Sequence, residues 1–167
     1  MKKLFALILA LCLLGSVAMA DELVWAGQAE EAASQMEGEF HTIKEGSIKI
    51  WIPAALNEIE LTDEDAEAGY IAYFEAEDGE AGIAVQYFDM EGMSLEEYAE
   101  DRKDNEAEDI EIGIVNGLPC LGYKYEDSAV MAFALENGYI LEVVAEPISD
   151  DNFQSVAALI FCSIQAN

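Results

Sequence analysis

Four apolar-rich segments joined by very short turns constrain this chain more than any other feature. The segments are 110–115, 121–125, 130–135 and 139–145. Asn116-Gly117 and Asn137-Gly138 join the outer pairs, and Glu126-Asp127-Ser128 joins the middle one. Turns this short make neighbouring strands antiparallel, because a parallel crossover needs about a dozen residues or more. The sequence therefore predicts a four-strand meander, with Asn137 and Gly138 both at positive φ in a two-residue hairpin loop.

Two further strand pairs precede the meander, 40–44 with 47–52 and 70–76 with 82–88. In the first pair, Ile48, Ile50 and Ile52 alternate with other side chains, which is the period of a strand with one buried face. Pro53 ends that strand because it has no N–H to donate. Asp78-Gly79, between the strands of the second pair, is typical of a tight turn.

Two helices complete the predicted fold. Ser94-Leu95-Glu96-Glu97 is a capping box and predicts a helix over 95–103. A closing helix over 150–160, capped by Ser149 or Asp150, is followed by an extended tail over 161–164. The fold class is therefore α+β, an antiparallel sheet of strand pairs and a four-strand meander with helices packed on it.

The first twenty residues have the pattern of a secretory signal peptide. Lys2 and Lys3 precede an apolar run over 4–14, and small residues end the segment at Ala20, where cleavage is expected. Leu11 stands before Cys12 where a lipoprotein signal has a small residue, so Cys12 is one more apolar residue of the run. The signal predicts a protein that is released, into the medium or the periplasm. The remaining chain divides into an N-terminal tether or loose helix over 21–38 and a single α+β domain over 39–167.

The mature sequence resembles the PsbP-like superfamily, which includes the DcrB-type bacterial envelope proteins. The resemblance lies in the opening strand 47–53, the segment Met93-Ser94-Leu95-Glu96-Glu97-Tyr98, the turn Asn116-Gly117-Leu118-Pro119 and the tail 160–164. It implies an α/β/α sandwich and a non-enzymatic accessory or binding domain. The superfamily shares no single set of binding residues, so the resemblance assigns none to this chain.

The charge of the chain limits its partners. The net charge is −28, and loss of Lys2 and Lys3 with the signal brings it to −30. Such a field repels nucleic acid phosphates and anionic lipid headgroups, whose binding depends on clustered Lys and Arg. A basic protein surface or a cationic peptide fits the same field. The other interpretation is a surface that only keeps a monomer soluble.

Two acidic clusters raise the alternative of loose divalent cation binding. The segment 63–69 has carboxylates at alternate positions, as a calcium loop does. Ala68 stands where such a loop needs its glycine and Phe74 where it needs its last glutamate, which favours a solvated acidic loop. Glu96, Glu100 and Asp104 stack on one face of the predicted helix, and a cation would relieve their repulsion. The sequence predicts no specific metal or cofactor site.

Cys120 and Cys162 are the cysteines of the mature chain. Outside the cytoplasm they can form a disulfide, and the alternative is two buried thiols.

His41 is the one histidine, and a hydrolase would pair it with Cys120 or Ser47 and a carboxylate. No local signature surrounds either nucleophile, which favours an ordinary polar residue on the first strand.

Aromatic residues on the predicted strands are the remaining candidates for a binding surface. They are Trp51, Tyr73, Tyr87, Tyr123, Tyr125 and Tyr139. Lining the core is the first interpretation, and an exposed patch rimmed by carboxylates is the second.

The sequence thus favours a secreted, non-enzymatic binding or accessory domain acting through its acidic surface. An acidic envelope protein that binds divalent cations loosely comes second, and a hydrolase using His41 comes third.

Overall fold

The computed structural model describes residues 22–167, and the predicted signal peptide lies outside them. Within that range the chain forms ten strands and four helices. The strands are β1 Gly38–Ile43, β2 Ile48–Pro53, β3 Leu56–Glu58, β4 Tyr70–Ala76, β5 Gly82–Asp89, β6 Glu108–Val115, β7 Leu118–Tyr125, β8 Ser128–Ala134, β9 Tyr139–Glu146 and β10 Gln165–Ala166. The helices are α1 Gln28–Ala33, α2 Asp63–Glu67, α3 Leu95–Asp104 and α4 Asp151–Ser163. No helix of residues 22–167 is long and apolar enough to cross a bilayer.

Most strands belong to one antiparallel sheet in the order β3-β4-β5-β9-β8-β7-β6. The strands from β6 to β9 form the predicted meander, since each pairs with the next. The last of them, β9, also pairs with β5 along its whole length, from Gly82 opposite Glu146 to Asp89 opposite Tyr139. That pairing joins the earlier strands to the meander, and the predicted α+β fold class is confirmed.

One face of the large sheet carries the main core. A second, three-stranded sheet in the order β1-β2-β10 packs over it together with α4. Ile50 of the small sheet, Val143 of the large sheet and Ile160 of α4 are fully buried in this shared cluster. At about 25 cal/mol per Å² of apolar surface removed from water, this layer is the largest source of stability in the molecule.

On the opposite face of the large sheet, α3 packs over one end. Leu95 and Tyr98 of this helix pack on Leu121, Tyr123 and Ile140. Ser94 caps the helix through the predicted capping box, since its side chain accepts from the Glu97 N–H and the Glu97 carboxylate accepts from the Ser94 N–H. A helix of ten residues is too short to cover seven strands, so part of this face is left open.

The N-terminal segment packs on the domain where the sequence suggested a tether or loose helix over 21–38. Leu23 forms a parallel bridge with Val115 of β6, and α1 packs its alanines on Leu159 and Cys162 of α4. The Trp25 ring lies 6.0 Å from that of Trp51. These apolar contacts hold the segment against the fold, and spacing along the chain could not reveal them.

Asn116 joins this segment to two other parts of the chain. It occupies the β6–β7 turn with φ 45°, followed by Gly117 with φ 80°, the type I′ geometry of a two-residue hairpin. Its Oδ1 accepts from the Trp25 N–H at 2.7 Å. Its Nδ2 donates to the carbonyls of Cys162 and Ile164 at 2.8 and 2.7 Å. One side chain thus fixes the N-terminal segment and the end of α4 to the tip of a hairpin.

The prediction for the turn between β8 and β9 was wrong in one respect. Gly138 has φ 88°, but Asn137 is not among the residues at positive φ. The Gly138 N–H donates to the Leu135 carbonyl and the Leu135 N–H to the Tyr139 carbonyl, so the loop has three residues and a left-handed glycine at its end. Asn137 has a side-chain role, because its Nδ2 donates to the Tyr87 hydroxyl at 2.6 Å.

The predicted extended tail over 161–164 was also wrong. The helix α4, capped by Asp150, continues to Ser163, and the short strand β10 follows. Ser163 is fully buried, and its hydroxyl accepts from the Trp51 N–H at 2.8 Å. A tertiary contact with the small sheet therefore holds the last helical turn, and the β-branched and aromatic character of the tail gave no sign of it.

Candidate functional site

The uncovered part of the α3 side of the large sheet forms the candidate site. Residues directly opposite each other in a sheet share a face, and the pairing places Tyr73, Ala84, Val144, Val130 and Tyr123 in one row across five strands. Of these, α3 packs over the Tyr123 and Val130 end. We call the remaining part of this row, on strands β4, β5 and β9, the open face.

A groove of about 1020 Å³ runs along the border between α3 and the open face. Its lining includes Glu67, Tyr87, Arg102, Tyr123, Tyr125 and Glu142. A smaller depression of about 640 Å³ adjoins it, and both are lined by Gln86 and Val144. The two form one concave surface with a size suited to a peptide or small-molecule ligand.

Glu142 lies at the floor of the groove. It comes from the middle of β9 and is only 4% exposed. The Tyr98 hydroxyl, from α3, donates to its Oε1 at 2.9 Å, and the Tyr123 hydroxyl, from β7, donates to the same oxygen. A buried carboxylate is costly unless it is hydrogen-bonded, so these two phenols hold the charge in place.

The second oxygen of Glu142 faces the groove. No donor within residues 22–167 bonds Oε2, and in that range no buried side-chain oxygen or nitrogen is without a partner. Oε2 is therefore accessible from the groove. It is an acceptor with a negative charge at the bottom of a partly apolar depression.

The two phenols stay protonated over a wide pH range. Burial first, and then the negative charge of Glu142, raise the pKa of Tyr98 and of Tyr123 well above the usual range. Each hydroxyl therefore acts as a donor to Glu142 and not as an acid. The arrangement leaves a hydrogen-bonded carboxylate that can orient and hold a cationic group.

Arg102 is the one cation among the residues that line the groove and its neighbouring depression. Its guanidinium lies 4.8 Å from the centre of the Tyr98 ring and donates from Nε and Nη2 to Asp101 at 3.1 and 2.6 Å. Burial acts to lower the pKa of Arg102, but the bonds with Asp101 and the neighbouring tyrosines outweigh it and the pKa is raised. Asp101 thus compensates the charge of Arg102, and Glu142 has no cationic partner in the described chain.

The adjoining depression is acidic. Glu75, Glu80 and Glu146 line it together with Tyr73. The Tyr73 hydroxyl donates to Glu75 at 3.2 Å, and burial followed by the Glu75 charge raises the pKa of this phenol. The whole concave surface therefore presents carboxylates beside aromatic rings.

His41 lies away from this surface. It is on β1, with its ring 4.8 Å from that of Phe74 and its nitrogens 3.8 Å from Glu39 and 3.9 Å from Glu58. Neither Cys120 nor Ser47 is a hydrogen-bond or ion-pair partner of His41 in residues 22–167. The arrangement that a hydrolase would need is not assembled around this histidine.

Cys120 and Cys162 are both buried and belong to different apolar clusters. Cys120 lies in the main core, whereas Cys162 packs with α1. Burial raises the pKa of the Cys120 thiol to about 11, although the hydrogen bond with the Gly113 backbone opposes this. A disulfide between the two cysteines stays a prediction.

The acidic segment expected to be a loop forms the short helix α2. Thr62 caps this helix, and the Asp65 carboxylate accepts from the Thr62 N–H at 2.8 Å and from its hydroxyl at 2.7 Å. These bonds lower the pKa of Asp65. On α3, Glu100 lies 3.8 Å from Lys103. In residues 22–167 no group of three or more acidic, histidine or cysteine side chains is placed to hold a metal.

The strand aromatics divide between the core and the surface. Trp51 and Tyr123 are buried, and Tyr125 is 46% exposed. Tyr87 and Tyr139 are half-buried and stack with ring centres 4.4 Å apart. Three of the predicted aromatics, Tyr87, Tyr123 and Tyr125, line the groove.

Sequence reasoning missed Glu142, although the sequence carries a signal for it. Glu142 is a carboxylate in the middle of β9, within the apolar run Ile140-Leu141 and Val143-Val144-Ala145. A charged residue in a central strand is almost always paired or functional. Its tyrosine partners come from β7 and α3, and no spacing along the chain would have identified them.

The fold is similar to that of a cyanobacterial protein of known structure. No family model matches the chain, and no curated protein matches it. The solution structure of cyanobacterial PsbP (CyanoP) from Synechocystis sp. PCC 6803 matches 92% of this chain and 99% of that chain, with a TM-score of 0.53 and 12% sequence identity. The PsbP-like fold predicted from the sequence is confirmed, and the narrower resemblance to DcrB-type proteins stays a prediction.

Proposed function

We propose that this PsbP-like domain is secreted and works by binding, not by catalysis, with its open face as the surface that engages a basic protein segment or cationic peptide. The observation that supports this most is the concave surface itself. It combines a buried carboxylate that has one accessible oxygen with tyrosines and exposed carboxylates. A similar fold supports a role as an accessory domain by analogy only.

Electrostatics favour the same class of partner. With a net charge of −28 in the full chain, long-range attraction steers cationic partners toward the protein and repels anionic ones. Arg102, the cation of the groove, is bonded to Asp101. A partner that brings positive charge to the open face therefore meets no strong local repulsion.

Binding of a lysine-rich peptide tests the proposal. We expect saturable binding by calorimetry at low salt and weaker binding at high salt, because surface charges are screened within about 10 Å at 0.1 M salt. Backbone amide shifts should concentrate on β4, β5 and β9. A glutamate-rich peptide of the same length is the control and should not bind. Absence of binding, or shifts confined to the small sheet, would contradict the proposal.

A further inference from the structure

We infer that Oε2 of Glu142 is the anchor for a single ammonium group, so that the partner inserts a lysine side chain, and not an arginine, into the groove. This inference rests on the proposed function because it names the group of the basic partner that is recognised. It depends on how the carboxylate is already bonded within the protein.

The two tyrosines decide which cation fits. A carboxylate oxygen has two lone pairs, and those of Oε1 are occupied by the hydroxyls of Tyr98 and Tyr123. A guanidinium binds a carboxylate best through two parallel bonds, one to each oxygen. Only Oε2 is accessible here, so a guanidinium cannot form one bond to each oxygen of Glu142. An ammonium is a compact point charge that needs one strong acceptor, and Oε2 supplies it.

The walls of the groove suit the rest of a lysine side chain. Val144, half-buried, and Tyr125, exposed, line the same groove as Glu142 and offer apolar surface to the methylene stem. Arg102 already lies over the Tyr98 ring and is bonded to Asp101. A second guanidinium would therefore meet an occupied aromatic face as well as an occupied oxygen.

Charge burial gives the anchor its strength. Glu142 is 4% exposed, so an ammonium bound to it leaves water and interacts in a region of low effective dielectric. A hydrogen bond to a charged group contributes more to the binding free energy than a bond between neutral groups does. Its gain or loss should therefore change the affinity by about tenfold or more. Exposed carboxylates of the rim, such as Glu67, contribute much less because solvent screens them.

The first test compares short glycine- and serine-based peptides that carry one central lysine, arginine or norleucine. We expect the lysine peptide to bind the wild-type protein about tenfold tighter than the arginine peptide, and the norleucine peptide to bind weakest. Glu142→Gln keeps an acceptor for both tyrosines and removes the charge, so it should abolish the preference. Glu67→Gln removes the same charge from the groove rim and should retain it. Circular dichroism and melting temperature establish that both variants are folded.

A second probe separates this inference from the proposed function. If n-butylammonium perturbs the carbon-13 signals of labelled Tyr98 and Tyr123 in the wild-type protein and not in Glu142→Gln, the anchor is supported even when a lysine-rich peptide fails to bind. If a lysine-rich peptide binds the open face of both proteins equally, the anchor is wrong and the proposed function stands. Equal affinity for the lysine and arginine peptides would likewise overturn the inference.

Discussion

At the scale of single residues, Asn116 connects parts of the molecule that are far apart in sequence. Its side chain bonds Trp25 in the N-terminal segment and the carbonyls of Cys162 and Ile164 at the end of α4. Its own N–H donates to the Leu23 carbonyl at 2.8 Å. This position requires a positive φ as well as a side chain that both accepts and donates hydrogen bonds. Asparagine meets both requirements, since it tolerates positive φ better than most other residues.

Replacing Asn116 with glycine should separate these two requirements. Glycine keeps the turn geometry and loses three side-chain hydrogen bonds, so we expect the free energy of unfolding to fall by about 2 to 4 kcal/mol in urea denaturation. Asn137→Gly is the control, since the Asn137 bonds lie at the surface, and its loss should be about 1 kcal/mol or less. Equal losses in the two variants would contradict the role given to Asn116.

The phenols bonded to Glu142 should make the protein sensitive to alkali. Their pKa is raised in the folded state, by burial first and by the Glu142 charge second. In the unfolded chain they ionise near pH 10, so the stability they contribute is present below about pH 10 and is lost as the pH rises above it.

We expect the melting temperature of the wild type to fall steeply above about pH 10 and that of the double variant Tyr98→Phe with Tyr123→Phe to fall less steeply. Tyr125→Phe, at an exposed position, is the control and should follow the wild type. Ultraviolet absorbance of ionised phenol should show two tyrosines that titrate only on unfolding. Parallel pH curves for the double variant and the wild type would show that the two phenols do not contribute.

At the scale of elements, α3 depends on its first turn. Of its ten residues, Leu95 and Tyr98 are the buried ones, and both pack on the sheet. Ser94 satisfies one of the otherwise unpaired N–H groups at its start. Because Tyr98 reaches Glu142 from this helix, the cap also determines how firmly the groove is formed.

Ser94→Ala should therefore lower the free energy of unfolding by about 1 kcal/mol and increase amide hydrogen exchange in α3 before other elements. Ser155→Ala is the matched control, because Ser155 lies in the exposed part of α4, where we expect a change within about 0.5 kcal/mol. Unchanged exchange in α3 would show that packing alone holds the helix.

The sequence predicted those strands and helices whose positions are set by residues close to one another in the chain. Alternating isoleucines and turn residues located the long strands, and the capping box at Ser94 located α3. Elements held by tertiary contact were missed, because β3 and β10 are too short for a pattern and the last turn of α4 depends on the Ser163 bond to Trp51. For the site, the sequence named six strand aromatics as candidates, and three of them line the groove. The groove itself arises from the pairing of β5 with β9, which no local signal indicates.

At the scale of the whole molecule, charge is the dominant feature. A net charge of −28 places carboxylates within a Debye length of one another, so their repulsion lowers stability at low ionic strength. Screening by salt should restore part of that stability.

We expect sodium chloride and calcium chloride at matched ionic strength to raise the melting temperature by similar amounts, with calcium slightly ahead. Saturable stabilisation by calcium, lost when Asp63 and Asp65 are both changed to asparagine, would instead favour the cation-binding alternative. Magnesium is the control for valence, since it screens as calcium does but prefers a stricter coordination geometry.

The bonds of Asn116 also have a consequence for chain connectivity. Because one side chain contacts both Trp25 and Ile164, the two ends of the described chain meet at the β6–β7 turn. A short flexible linker could join them there, and new ends could be opened at the exposed Asp78-Gly79 turn. The fold therefore does not require the strands to follow one another in the natural order along the chain. A circularly permuted chain should retain both sheets and the groove between α3 and the open face.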